Sequence, residues 1–123
     1  MALTEDLLSH LQGQLAWKWD TRFQMALMEF KVTQAEAVQA VLAGCLNQVW
    51  EKSTIGKAPK MIKQINKQMG GLKKGQYCFN SDAGQTAFLY ALWWPWGDGK
   101  TISLRLAPWP EEQTTAFKQQ LSL

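Results

Sequence analysis

The sequence predicts an α+β fold: a three- or four-stranded antiparallel sheet, built from a C-terminal β-meander over residues 76–107, with about four helices packed on it. Three observations carry this. Apolar residues recur at helical spacing through most of the first seventy positions. Three short alternating runs come next, separated by turn residues. A capped, helix-like stretch closes the chain.

Thr4 is a good cap for a first helix, and Glu5 and Asp6 favour the positive end of its dipole. Leu3, Leu7, Leu8, Leu11 and Leu15 then share one stripe, and Gly13 weakens its end. Residues 17–30, WKWDTRFQMALMEF, fit two patterns. Trp17 and Trp19 alternate around Lys18, and Phe23, Met25 and Leu27 alternate too, which favours a strand over about 22–30. Phe23, Ala26, Leu27 and Phe30 also fit a helical stripe after Asp20.

TQAE is a capping box, with Thr33 as cap and Glu36 three residues on. Val38, Val41, Leu42, Cys45, Leu46 and Val49 repeat behind it, which predicts a helix to about Glu51. A loop over 53–58 leads to Pro59, suited to the first turn of a third helix. That helix turns Met61, Ile62, Ile65 and Met69 inward and stops at Gly70-Gly71.

The meander reads QYCFN, TAFLYALWW and TISLRL, the last ending before Pro108. Asp98-Gly99 suits a two-residue turn with both residues at positive φ. Counting outward puts Trp96 opposite Thr101, Trp94 opposite Ser103, Trp93 opposite Leu104, Leu92 opposite Arg105 and Ala91 opposite Leu106. A tight turn at SDAG pairs Asn80 with Gln85, Cys78 with Ala87 and Tyr77 with Phe88. One face then carries Cys78, Ala87, Leu89, Ala91, Trp93, Ile102, Leu104 and Leu106, the expected core side. The other carries Tyr77, Phe79, Phe88, Tyr90, Leu92, Trp94 and Trp96, edged by Thr86, Thr101, Ser103 and Arg105. Monomers seldom expose a contiguous apolar patch beyond ~600 Å². Something therefore covers this aromatic face: a helix of the same chain, a second copy, or a stacking ligand. In PEEQTTAFKQQL, Pro110 sits in the first turn of a last helix, with Glu111 and Glu112 behind it and Phe117 and Leu121 inward.

The 123 residues fit one domain, 1–123, and 46% apolar with 19% charged residues is an ordinary globular composition. Two cysteines, Cys45 and Cys78, make no disulfide framework and suggest a reduced, cytoplasmic protein. The acidic start is unlike a signal peptide, and no apolar run approaches the ~18 residues of a membrane span.

Net charge is only +3, but seven of the thirteen cationic residues are lysines between Lys52 and Lys74, with no acid among them. On the third helix Lys60, Lys63 and Lys67 line one side around Gln64, and Lys57, Lys73 and Lys74 extend the field. Such a row is either a solvated face or a track for an acidic surface or a phosphate backbone. MGGLKKGQ lacks the G-x-x-x-x-G-K-[ST] pattern of a phosphate-binding loop.

Catalytic candidates are few. His10 is the lone histidine, Cys45 and Cys78 read as small core residues, Asp82 and Asp98 as turn residues, and Glu111 and Glu112 as a helix start. No enzyme, metal or cofactor is expected. The reading is a small non-catalytic binding domain. It would hold an acidic protein partner through Lys57, Lys60, Lys63, Lys67, Lys73 and Lys74, or self-associate through Tyr77, Phe79, Phe88, Tyr90, Trp94, Trp96 and Arg105. One alternative is single-stranded nucleic-acid binding, with Tyr77, Phe79, Phe88, Tyr90 and Trp94 stacking on bases and Lys60, Lys63, Lys67 and Arg105 on phosphates. Another is an apolar small-ligand pocket between helices and sheet.

Overall fold

The computed structural model describes residues 17–81 and 88–121. Its elements are β1 (Lys18–Asp20), β2 (Met25–Lys31), α1 (Ala35–Cys45), β3 (Gln48–Trp50), α2 (Lys60–Gln68), β4 (Tyr77–Asn80), β5 (Phe88–Pro95), β6 (Thr101–Trp109) and α3 (Thr114–Gln120). The helix expected after Thr4, His10 and most of the SDAG turn lie outside the described residues. The fold is α+β with one antiparallel sheet. The sheet has six strands rather than three or four, in the order β1-β2-β6-β5-β4-β3, and the described helices number three rather than about four.

Two of the additional strands arise where a helix or strand ends earlier or starts later than its pattern suggests. Asp20 ends β1 because its carboxylate accepts the backbone N–H groups of Arg22 and Phe23, at 3.0 and 3.2 Å, which closes a turn before Met25. The 22–30 segment is thus a strand, but only from Met25. At the other boundary, α1 stops at Cys45 instead of Glu51. Gly44 is a poor helix former there. The residues beyond it make stronger bonds as a strand: Trp50 Nε1 donates to Asn80 Oδ1 at 2.7 Å, and Asn80 Nδ2 donates to Gln48 Oε1 at 2.8 Å. These bonds satisfy the fully buried Asn80 and pin Gln48–Trp50 alongside β4. Thr33 does not cap α1 either; it lies in a three-ten turn over Val32–Gln34 that precedes the helix.

The β5–β6 register is the one expected, with Trp94 opposite Ser103, Leu92 opposite Arg105 and Ala91 opposite Leu106. The turn differs in detail. Only Gly99 is left-handed (φ 69°), while the Asp98 carboxylate accepts the N–H groups of Lys100 and Thr101. β6 also runs through Pro108 to Trp109. Leu89, opposite Pro108, turns its N–H and C=O toward Ser81, so the Pro108 nitrogen points to the β2 side. The β2 pairing ends at Leu106, so the missing N–H costs no ladder bond.

The β4–β5 register departs from expectation. Tyr77 faces Trp93, Cys78 faces Leu92, Phe79 faces Ala91 and Asn80 faces Tyr90. Ser81 is already bonded to Leu89, so the connection is longer than a tight SDAG turn. An odd shift reverses a strand's faces. Tyr77 and Phe79 therefore leave the aromatic face for the opposite one, and Cys78 takes their side.

Both faces are buried against helices of the same chain. On one, α1 contributes Val38 and Leu42 and α3 contributes Phe117 and, just past its end, Leu121; they meet Phe79, Leu89, Ala91, Trp93, Leu104 and Leu106. On the other, Ile62 and Ile65 of α2 meet Cys78, Phe88, Tyr90 and Leu92. Burying each such side chain is worth roughly 1.5–3 kcal/mol, so the aromatic surface holds α2 in place. β1 and β3, three residues each, form the two margins of the sheet.

Candidate functional site

α2 is strongly two-sided because its apolar residues are spaced at 62, 65 and 69 and its lysines at 60, 63 and 67. Ile62 and Ile65 are buried, and the buried Asn66 donates its side-chain N–H to the Ile62 carbonyl at 3.0 Å, which satisfies the one polar side chain that α2 buries. Lys60, Lys63, Gln64 and Lys67 all point to water. The helix ends where the sequence places its stop: Gly70 and Gly71 adopt φ 93° and 80°, and the Gly71 N–H bonds back to the Asn66 carbonyl at 2.7 Å.

Lys52, Lys57, Lys73 and Lys74 are exposed as well. Among the described residues, only Lys18–Glu29 and Arg105–Asp20 form ion pairs. None of the seven lysines between 52 and 74 has a carboxylate partner there. The structure thus brings the predicted basic residues onto one helix and its two flanks.

The predicted aromatic set is divided. Phe79 is fully buried on the opposite face, with Tyr77 half-buried beside it. Phe88 and Tyr90 lie under α2, 2% and 7% exposed. Neither pair can offer a flat face to a base. Burial pushes the Tyr90 phenol up to about 12, helped by the nearby Cys78 and Glu111. Burial likewise pushes the Cys78 thiol up to about 11, against a lowering hydrogen bond from Asn66. A thiol kept protonated and enclosed is a poor nucleophile.

Trp94, Trp96 and Arg105 remain toward the hairpin tip, beyond the end of α2. Trp96 is 47% exposed, its indole N–H bonded to the Ser103 hydroxyl. Arg105 lies 4.8 Å from the Trp94 ring centroid and 5.2 Å from that of Phe23, and its Nε donates to Asp20 Oδ2 at 3.0 Å. Its charge is thus engaged within the fold. Between Trp94 and the loop after α2 lies an open hollow of about 180 Å³, lined by Met69, Gly70, Gly71, Lys73, Gln76 and Trp94. Sequence reasoning missed it, because the contact between a helix stop and a strand some twenty residues later has no local signal. A larger open groove, about 680 Å³, is lined by Glu51, Lys52, Ser53, Lys74, Gly75 and Tyr77. A third, more enclosed hollow of about 120 Å³ lies where the sequence suggested a pocket, between α2 and the sheet, with Ile65, Met69, Tyr90 and Ala107 on its walls alongside the polar Gln68 and Glu111.

Among the described residues no three His, Cys, Asp or Glu side chains converge as metal ligands, and no helix is long and apolar enough to cross a membrane. Fold and surface together define an antiparallel-sheet domain sandwiched by helices, one of which displays a lysine row. No protein-family model, curated protein or solved structure matches this chain.

Proposed function

We propose that this chain is a non-catalytic binding domain that holds an acidic protein partner against the outer face of α2. The observation that carries the reading is the row Lys60, Lys63 and Lys67, exposed and without carboxylate partners among the described residues, on a helix anchored by Ile62 and Ile65. A fixed backbone presents the three ammonium groups at helical spacing, and Lys57, Lys73 and Lys74 broaden the field at both ends. A protein surface is favoured over a single-stranded nucleic acid because Phe79, Phe88 and Tyr90 are buried, which removes most of a stacking platform.

The test is a titration of a fluorescein-labelled polyglutamate peptide at low and physiological salt, with polyglutamine and oligothymidylate as controls. Each exposed ion pair is worth about 0.2–1 kcal/mol. The triple variant Lys60→Ala/Lys63→Ala/Lys67→Ala is expected to lose roughly tenfold in affinity for polyglutamate with its thermal stability intact. Equal affinity in variant and wild type, or tighter binding of the oligonucleotide, overturns the reading.

A further inference from the structure

We propose that the hollow beside Trp94 seats one aromatic side chain of the acidic partner, so that the surface recognises a ring flanked by carboxylates rather than charge alone. This rests on the α2 reading and adds the anchor to it. Four observations converge. The hollow, about 180 Å³, is of the size to take a single ring; a cavity of ~150 Å³ accepts benzene. Two of its walls are Gly70 and Gly71, where nothing lies within 4 Å of the position a Cβ would take, so the backbone is open to close approach.

Trp94 forms another wall, and its ring is held by two neighbours. Arg105 sits over it, and the Phe23 ring meets it edge-on with centroids 6.2 Å apart. A wall fixed in this way loses little side-chain freedom when a second ring packs on it. Its indole nitrogen is shielded from solvent and has no hydrogen-bond partner among the described residues.

The charge around the hollow has one sign. Lys73 lines it, no carboxylate lines it among the described residues, and Lys67 lies one turn back, its carbonyl accepting the Gly70 N–H at 3.2 Å. The helix that carries the lysine row thus ends at the hollow, whose rim begins at Met69 and Gly70. A bound acidic segment would cross the lysines and drop one apolar side chain at the end of the helix. An isolated ring-sized hollow fits a peptide anchor better than a strand of bases, which needs successive stacking surfaces.

Two short glutamate peptides, identical except for phenylalanine or alanine at the centre, test this against the wild-type protein and Trp94→Ala. The phenylalanine peptide is expected to bind about tenfold more tightly than the alanine peptide, and Trp94→Ala to erase the difference. Trp94→Ala can also loosen the fold, so a second measurement uses wild-type protein: the indole ¹H–¹⁵N resonance of Trp94, assigned through Trp94→Phe, should shift with the phenylalanine peptide and not with the alanine one. Equal affinities that both fall in the α2 lysine variant overturn the anchor and leave the α2 reading standing. Binding of neither peptide removes both. A phenylalanine preference without a shift at Trp94, or a larger shift with oligothymidylate, also overturns the proposal.

Discussion

Arg105→Met removes the guanidinium from the more sheltered of the two described ion pairs while keeping an aliphatic stem between Phe23 and Trp94. Only 15% of the Arg105 side chain and 9% of the Asp20 side chain are exposed. Stripping one partner from a fully buried pair costs about 3–5 kcal/mol. The figure is lower here, because Asp20 keeps the N–H groups of Arg22 and Phe23 and its charge is not orphaned. One charge-assisted bond is worth about 1.5–3 kcal/mol, and the lost cation–π contacts add roughly 0.5–1 kcal/mol. The expected loss is therefore about 2–4 kcal/mol, read by urea unfolding with tryptophan fluorescence. Asp20→Asn retains an oxygen for the two N–H groups, so a double-mutant cycle isolates the pair, with an expected coupling of about 1–2 kcal/mol at pH 7. Acid supplies a second axis. Burial pushes the Asp20 carboxyl up, but the Phe23 N–H, the bond and charge of Arg105 and the Arg22 N–H outweigh it, so it titrates below the usual range. Its stabilising contribution is present above the unfolded value and disappears as pH falls through the folded one. Coupling should thus fade in strong acid. A coupling under about 0.3 kcal/mol at pH 7, within ordinary additivity, would refute the pairing.

Three further outcomes are expected. Phe79→Ala should cost about 3–5 kcal/mol as a cavity in a closed core, whereas Trp96→Ala, half in water, should cost about 1 kcal/mol for its bond to Ser103; comparing their urea midpoints checks that Phe79 is sealed in the core and Trp96 is not. Cys78 and Tyr90 are favoured neutral in the folded state, so stability should hold below their unfolded values of 9.0 and 10.0 and decline as pH rises toward about 11 and 12, respectively. Tyr90→Phe should blunt that loss, measured by thermal melts across pH 8–12. Pro108→Ala should change stability by less than about 1 kcal/mol, since the nitrogen faces no strand; a large gain would mean that a ladder bond had been lost to the proline.

Much of the fold was legible from local pattern. The stop at Gly70-Gly71, the lysine and isoleucine sides of α2, the β5–β6 register and the inward Phe117 and Leu121 all depend on neighbours within a few positions. The misreadings share a cause in distant partners. Val49 continues the stripe of α1 on paper, yet it lies 43% exposed in β3, because Gln48 and Trp50 bond to Asn80 thirty residues away. Tyr77 and Phe79 changed faces because the connection before β5 is longer than its turn residues suggested, and an alternating strand converts an odd error into a complete inversion. At the site, the lysine row was visible as composition. The hollow was not, since Met69 to Gln76 meet Trp94 only after α2 has docked.

The two flanking strands have a bearing on how the molecule behaves at high concentration. A neighbour adding to β1 or β3 would gain only a few main-chain bonds before running out of template, too few to offset the freedom it gives up. The long apolar strands β5 and β6 lie inside the sheet, away from these stubs. On the proposed reading a partner would meet side chains on the outer helix instead of extending the sheet at β1 or β3.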